Sequence, residues 1–181
     1  MDRTWRGIAW AGAWTLAACQ ESQPDTGTGI WEDGVDTGSV GSTAVSINEI
    51  LAFNNTGAAD GDGEHDDWFE LYAPTDDVSL DDWTLEDDEH KVGFTSGLVV
   101  PGGGFLLLWA DECDTSGADH VRLRLDGHGD SLRLLDPEGG TVQYLEWRDQ
   151  TPDVSFARVP DGSEDWQQDE TPTPGTSNAG R

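Results

Sequence analysis

The sequence is short of positive charge. Lysine occurs once, at Lys91, and Lys and Arg together number 9 against 37 Asp and Glu, for a formal net charge of −28. Binding a nucleic-acid backbone depends on Lys and Arg displacing counterions from phosphates, so this composition excludes nucleic acid as a partner. Bare anionic membrane surfaces repel the chain for the same reason. Cations, basic proteins and neutral polymers remain, and solubility or adaptation to salt accounts for the same excess without any partner. Cysteine is nearly absent, with Cys19 and Cys113 alone, so no disulfide framework is available. No segment sustains a 3.6-residue apolar period or a heptad run, which argues against a helical bundle and a coiled coil. The four histidines, His65, His90, His120 and His128, lack the close spacing of a His-x-x-x-His zinc site and are expected on the surface or in loops. Gly102 to Gly104 follow no strand–helix pattern and form a hairpin turn, not a phosphate cradle.

The N-terminus has its own logic. Arg3 and Arg6 precede an apolar run from Gly7 to Ala18 and then small residues, the layout of a secretory signal. That run is too short for a bilayer, which takes about 20 residues. Leu16-Ala17-Ala18-Cys19 resembles the lipobox of bacterial lipoproteins, which implies lipidation of Cys19 after removal of residues 1–18. An ordinary signal peptide that happens to contain Cys19 is the other reading. Several acyl chains anchor stably where one does not. Gln20 in place of an aspartate after the cysteine favours the outer membrane or cell surface over the inner membrane. Once Cys19 is acylated, Cys113 has no intramolecular partner, and Asp111, Glu112 and Asp114 disfavour its thiolate. Residues 19–44, rich in Gly, Thr, Ser and Asp, read as a flexible acidic tether in which Trp31 has no assigned role.

From residue 45 the texture becomes that of short strands. "VSINEILAF" and "DWFELYAP" are strand candidates, the latter with Trp68, Glu70 and Tyr72 on one face and Phe69 and Leu71 on the other. "GGFLLLWA" reads as a central strand buried on both faces, and "HVRLRLD" alternates Val121, Leu123 and Leu125 inward with Arg122 and Arg124 outward. "SLRLLDPEGGTVQYLEW" reads as a hairpin whose second strand changes parity, reconciled by a bulge between Tyr144 and Glu146. Strand parity also places Trp68, Trp83 and Trp109 in the core. Short strands with a turn signal every 8–12 residues or so indicate an all-β sandwich or barrel.

Six motifs in order then resemble the lamin-tail domain in its bacterial form. They are Asn48-Glu49-Ile50; Trp68, Glu70, Leu71 and Tyr72; Leu80, Trp83 and Leu85 followed by Asp87 and Asp88; Pro101-Gly102-Gly103; Arg158, Pro160, Asp161 and Gly162; and Pro172-Thr173-Pro174-Gly175 closed by Asn178. The resemblance covers residues 45 to 178. It implies an immunoglobulin-like β-sandwich over residues 45–181, a single domain without catalytic activity that works as an interaction module. The nuclear roles of lamins do not transfer, because the coiled coil that precedes this domain in lamins has no counterpart here.

The stretch "DGDGEHDDWFELYAP" supports three readings. Asp60, Asp62 and Glu64, with Asp66 and Asp67, alternate carboxylates with glycine and make a candidate calcium site, since Ca²⁺ takes six to eight oxygens. The EF-hand pattern fails, because His65 stands in place of its glycine and Leu71 in place of its closing glutamate; Asp87 and Asp88 are further candidates to complete the shell. The second reading is a solvated turn permitted by Gly61 and Gly63. The third is a glycosidase-like acid–base pair drawn from Glu49, Asp67 and Glu70; against it, Glu49 and Glu70 read as structural residues hydrogen-bonded to backbone. The expectation is therefore a monomeric, non-enzymatic binding or scaffolding module anchored in a membrane by its N-terminal lipid, with no certain cofactor and calcium as the one candidate ion beside the solvated-turn reading of the acidic loop. Its expected partner is an envelope protein or polymer. A secreted hydrolase and a purely structural envelope component are the rivals.

Overall fold

A computed structural model describes residues 35–36, 44–87, 89–112 and 117–179. The signal segment, Cys19, Trp31, most of the tether, Asp88, Cys113 and Asp114 lie outside the described residues. The described residues form thirteen strands: β1 (Val35–Asp36), β2 (Ser46–Leu51), β3 (Asp67–Ala73), β4 (Val78–Ser79), β5 (Thr84–Glu86), β6 (Lys91–Gly93), β7 (Val99–Val100), β8 (Gly104–Ala110), β9 (His120–Val121), β10 (Gly129–Leu135), β11 (Thr141–Arg148), β12 (Ser155–Arg158) and β13 (Trp166–Asp169). One sheet runs β1-β11-β10-β5-β6 and the other β13-β12-β2-β3-β8-β9, with β4 and β7 as a separate small pair. Within the two large sheets, neighbours are antiparallel except β8 and β9, which run parallel.

The sheets close face to face because each has an apolar inner face. Leu85, Leu132, Leu134, Leu145 and Trp147 of the first sheet share one buried cluster with Ile47, Ile50, Phe69, Leu71 and Leu108 of the second. Each such side chain contributes about 1.5–3 kcal/mol by leaving water. Two buried glutamines stitch the layers. Gln143 accepts the Ile47 N–H at 2.5 Å, and Gln150 accepts the Ala52 N–H at 2.6 Å.

A bulge at Asn48 decides what the second sheet presents. Ile47 pairs with Leu71 and Glu49 with Glu70, so Asn48 is the extra residue. It lets Ile47 and Ile50 both reach the core and turns Glu49 and Leu51 outward. The outer face of β2, β3 and β8 is not left to water. Leu51, Trp68 and Trp109 form a second buried cluster there, with Ala58 of the loop before β3 packed against it.

Several expectations are corrected. Trp68 and Trp109 are buried, but on this outer face and not between the sheets; Trp83 is half-buried against the main core. The β11 irregularity falls opposite Leu134 and Leu135, which leaves Val142 as the extra residue. Tyr144 therefore faces outward, where the Arg133 guanidinium lies 5.1 Å from its ring centre, and Gln143, Leu145 and Trp147 are buried. β8 lies next to an edge of its sheet, and only Leu108 to Ala110 are fully buried. The alternation in residues 121–125 holds in burial, but the ladder stops at Val121. Val35–Asp36, inside the segment read as tether, pairs with β11 at Glu146 and Leu145. An open sheet edge recruits a strand through backbone groups alone, so no apolar pattern announces it.

Tight turns complete the frame. A Cβ on Gly102 would sit 2.4 Å from the Thr75 carbonyl oxygen, so the Pro-Gly-Gly turn accepts no side chain there. Gly162 has φ +68° and lies against the Tyr72 ring.

Candidate functional site

Two clusters of buried carboxylates lie on the outer face of the second sheet. The first centres on Glu49 and Glu70, which stand directly opposite each other in the β2–β3 ladder and are both fully buried. Side-by-side carboxylates on a sheet face repel, and this pair persists because the C-terminal segment supplies donors. Thr173 gives Glu49 its backbone N–H at 3.1 Å and its hydroxyl at 2.9 Å, and the Ser155 hydroxyl donates at 2.5 Å. Gly175 gives Glu70 its N–H at 2.5 Å, and the Asn48 amide lies 3.4 Å away. Asn48 also accepts the Gly162 N–H at 2.9 Å and donates to Asp161 at 3.0 Å. The Asn178 amide returns to the Asn48 and Arg158 carbonyls. Burial pushes the Glu70 carboxyl up to about 8, against the Gly175 N–H and with help from the neighbouring Glu49 and Asp161 charges. Burial raises Glu49 as well, opposed by Ser155 and Thr173. At neutral pH Glu70 therefore keeps its proton. The pair is sealed under residues 173–178, whereas acid–base chemistry on a sugar needs an open cleft between its carboxylates. Asp67 does not join it: alternation along β3 puts Asp67 and Glu70 on opposite faces.

The second cluster lies where the loop of residues 54–66 crosses the outer indoles. Asn54 ties the loop down, donating to the Ala58 and Asp66 carbonyls at 2.7 Å each and accepting the Gly57 N–H at 3.0 Å. Its own N–H goes to Asp67 Oδ1 at 2.9 Å. Asp60 Oδ1 accepts the N–H groups of Asp62 and Glu64 at 2.9 and 2.8 Å, and Gly63, at φ +87°, completes the turn. With Oδ1 engaged, Asp60 Oδ2 is buried without a hydrogen-bond partner. Asp66 Oδ2 and His120 Nδ1 are in the same state. One ligand atom from each of Asp60, Asp66 and His120 lies within 4.8 Å of the others. His120 Nε2 is 3.7 Å from Asp60 Oδ2, and on the other side of the ring Nδ1 is 3.4 Å from Asp111 Oδ2.

Of the five carboxylates expected to gather, the structure brings together Asp60 and Asp66. Asp62 and Glu64 are exposed, and Asp67 Oδ1 is engaged with the Asn54 N–H. Burial raises Asp66 to about 6, with Asp111, Asp60 and Glu64 adding repulsion and His120 opposing. Burial likewise raises Asp67 to about 7 against the Asn54 N–H. The residue that sequence reasoning misplaced is His120. It shares parity with Arg122 and Arg124, and so reads as solvent-facing. Its strand partner is Trp109, however, on the face that loop 54–66 covers. The signal was available in Trp68, Leu107 and Trp109, an apolar outer stripe that some segment has to cover.

A family model described as the lamin tail domain matches residues 39–149. The chain belongs to the lamin tail domain family. The lamin tail domain is an immunoglobulin-like β-sandwich and generally non-catalytic, which agrees with the filled core and the sealed glutamate pair. As built here, it fits a binding or structural module. The match ends before β12, yet β12 pairs with β2 and residues 173–178 cap the glutamates, so the folded body extends beyond the match. No curated protein matches the chain.

Proposed function

We propose that this lamin tail domain is a non-enzymatic binding or scaffolding module displayed at a cell surface and held to a membrane, the outer membrane in this reading, through lipid on Cys19. The observation that carries the non-enzymatic part is the closure of Glu49 and Glu70 by Thr173, Gly175 and Ser155, which spends both buried carboxylates on structure. The Leu16-Ala17-Ala18-Cys19 run supports the anchor. The acidic surface supports a basic protein or a neutral polymer of the envelope as partner. Calcium is the stabilising ion that the loop's carboxylates suggest on oxygen chemistry alone; the imidazole of His120 changes that donor set.

Membrane fractionation of wild type and Cys19→Ala tests the anchor. The wild type is expected in the membrane fraction and the variant in the soluble fraction, and identical partitioning of the two would refute lipid anchoring. Pull-down from envelope extracts, beside binding to isolated envelope polymers, tests the module: a protein partner or a polymer supports it. Turnover of a glycan by the purified chain, lost in Glu70→Gln, would replace it with the hydrolase.

A further inference from the structure

We propose that Asp60, Asp66 and His120 form a closed binding site for a zinc-class divalent cation, with Asp111 holding the imidazole from behind. Four observations point the same way. First, the oxygen ligand atoms are unspent: Asp60 Oδ2 and Asp66 Oδ2 have no hydrogen-bond partner. Second, they are removed from water, with the Asp60 and His120 side chains only 1% and 5% exposed. A buried charged oxygen left without a donor is strongly destabilising unless a cation compensates it. Third, they converge, all within 4.8 Å of one another. Zinc bonds to nitrogen and carboxylate oxygen run about 2.0–2.2 Å, so side-chain shifts of less than about an ångström close the shell. Fourth, the imidazole is presented in the manner of a ligand. Nε2 faces Asp60 while Nδ1 faces the buried carboxylate of Asp111, the carboxylate–histidine pairing that fixes the tautomer and raises the basicity of metal-bound histidines.

The donor set selects the ion class. Calcium and magnesium take oxygen shells, whereas one imidazole with two carboxylates suits zinc and its first-row neighbours. The site is also placed to matter structurally. Asp60 and Asp66 belong to the loop over Trp68 and Trp109, and His120 belongs to the edge strand beside β8. An ion here clips that loop to the sheet edge over the outer indoles. The rival occupant is a proton: an imidazolium at His120 would itself serve as the cation between Asp60 and Asp111.

The test uses the full chain stripped with chelator and reloaded. One zinc ion per chain is expected to survive gel filtration, with a higher melting temperature than in chelator and no comparable rise in millimolar calcium. His120→Gln is expected to abolish that stoichiometric binding, and Asp111→Asn to weaken it by about 10–100-fold. His65→Gln and Asp62→Asn should leave it unchanged. Zinc-edge absorption on the wild type, which does not depend on any variant folding, should report one imidazole and otherwise oxygen ligands. The proposal is overturned by any of four results: zinc retained equally by His120→Gln, sulfur in the zinc shell, calcium stabilisation equal to that of zinc, or ¹⁵N spectra showing both His120 nitrogens protonated and unmoved by zinc.

Discussion

Glu70 shows how one side chain can serve a fold by refusing to ionise. Its carboxyl is raised from 4.5 to about 8 by burial first, then by Glu49 across the ladder and by Asp161, despite the Gly175 and Asn48 donors. A raised carboxyl means that the folded chain holds a proton which the unfolded chain releases. The associated stability is complete below about pH 4.5 and drains away as pH rises through about 8. Thermal melts from pH 5 to pH 9 are therefore expected to fall for the wild type. Glu70→Gln keeps the shape and an acceptor for Gly175 but cannot ionise, so its melts should fall less steeply and cross above the wild type at the alkaline end. Parallel curves for the two proteins would show that Glu70 is not the group responsible. At this same scale the Asn48-Glu49 opening, the Pro-Asp-Gly turn and the Pro-Thr-Pro-Gly close become one device: Asn48, Asp161, Thr173, Gly175 and Asn178 together cap a buried acid pair.

At the scale of elements, strand existence was legible because alternation and turn residues are local properties. β2, β3, β8, β10 and β11 fall where the apolar patterns put them. Bulges were less legible. The extra residues at Asn48 and Val142 are defined by pairing with another strand, so no reading of a single strand locates them. The tryptophans separate along the same line. Trp68 is fully buried in the outer cluster, whereas Trp83 lies half-buried beside the main core. Trp68→Ala is expected to cost about 3–5 kcal/mol in guanidinium unfolding, through lost packing and the cavity left behind. Trp83→Ala should cost clearly less, because water fills part of its space. Equal losses at both positions would contradict the half-burial of Trp83.

At the scale of the molecule, the matched region and the folded body differ in extent. Residues 39–149 match the family, but β12 and β13 complete the second sheet and residues 173–178 supply the donors for Glu49 and Glu70. A chain ending at residue 149 would open the β2 edge, strip Glu49 of its Ser155 and Thr173 donors and leave Glu70 without the Gly175 N–H. It is expected to lack the cooperative thermal transition expected of the full chain, and a sharp transition at the full chain's temperature would refute this closing role. The sequence alone determined the all-β class, the order of the main strands and the family likeness, since each rests on periodicity and turn chemistry along the chain. Only the tertiary structure decided which acids meet. Asp60 and Asp66 meet His120, and Glu49 meets Glu70, across gaps of many residues. Five neighbouring carboxylates in the loop instead divide between solvent, backbone and a buried cluster. Convergence of side chains is a property of register and of which loop covers which face, and neither is written in any one stretch of sequence.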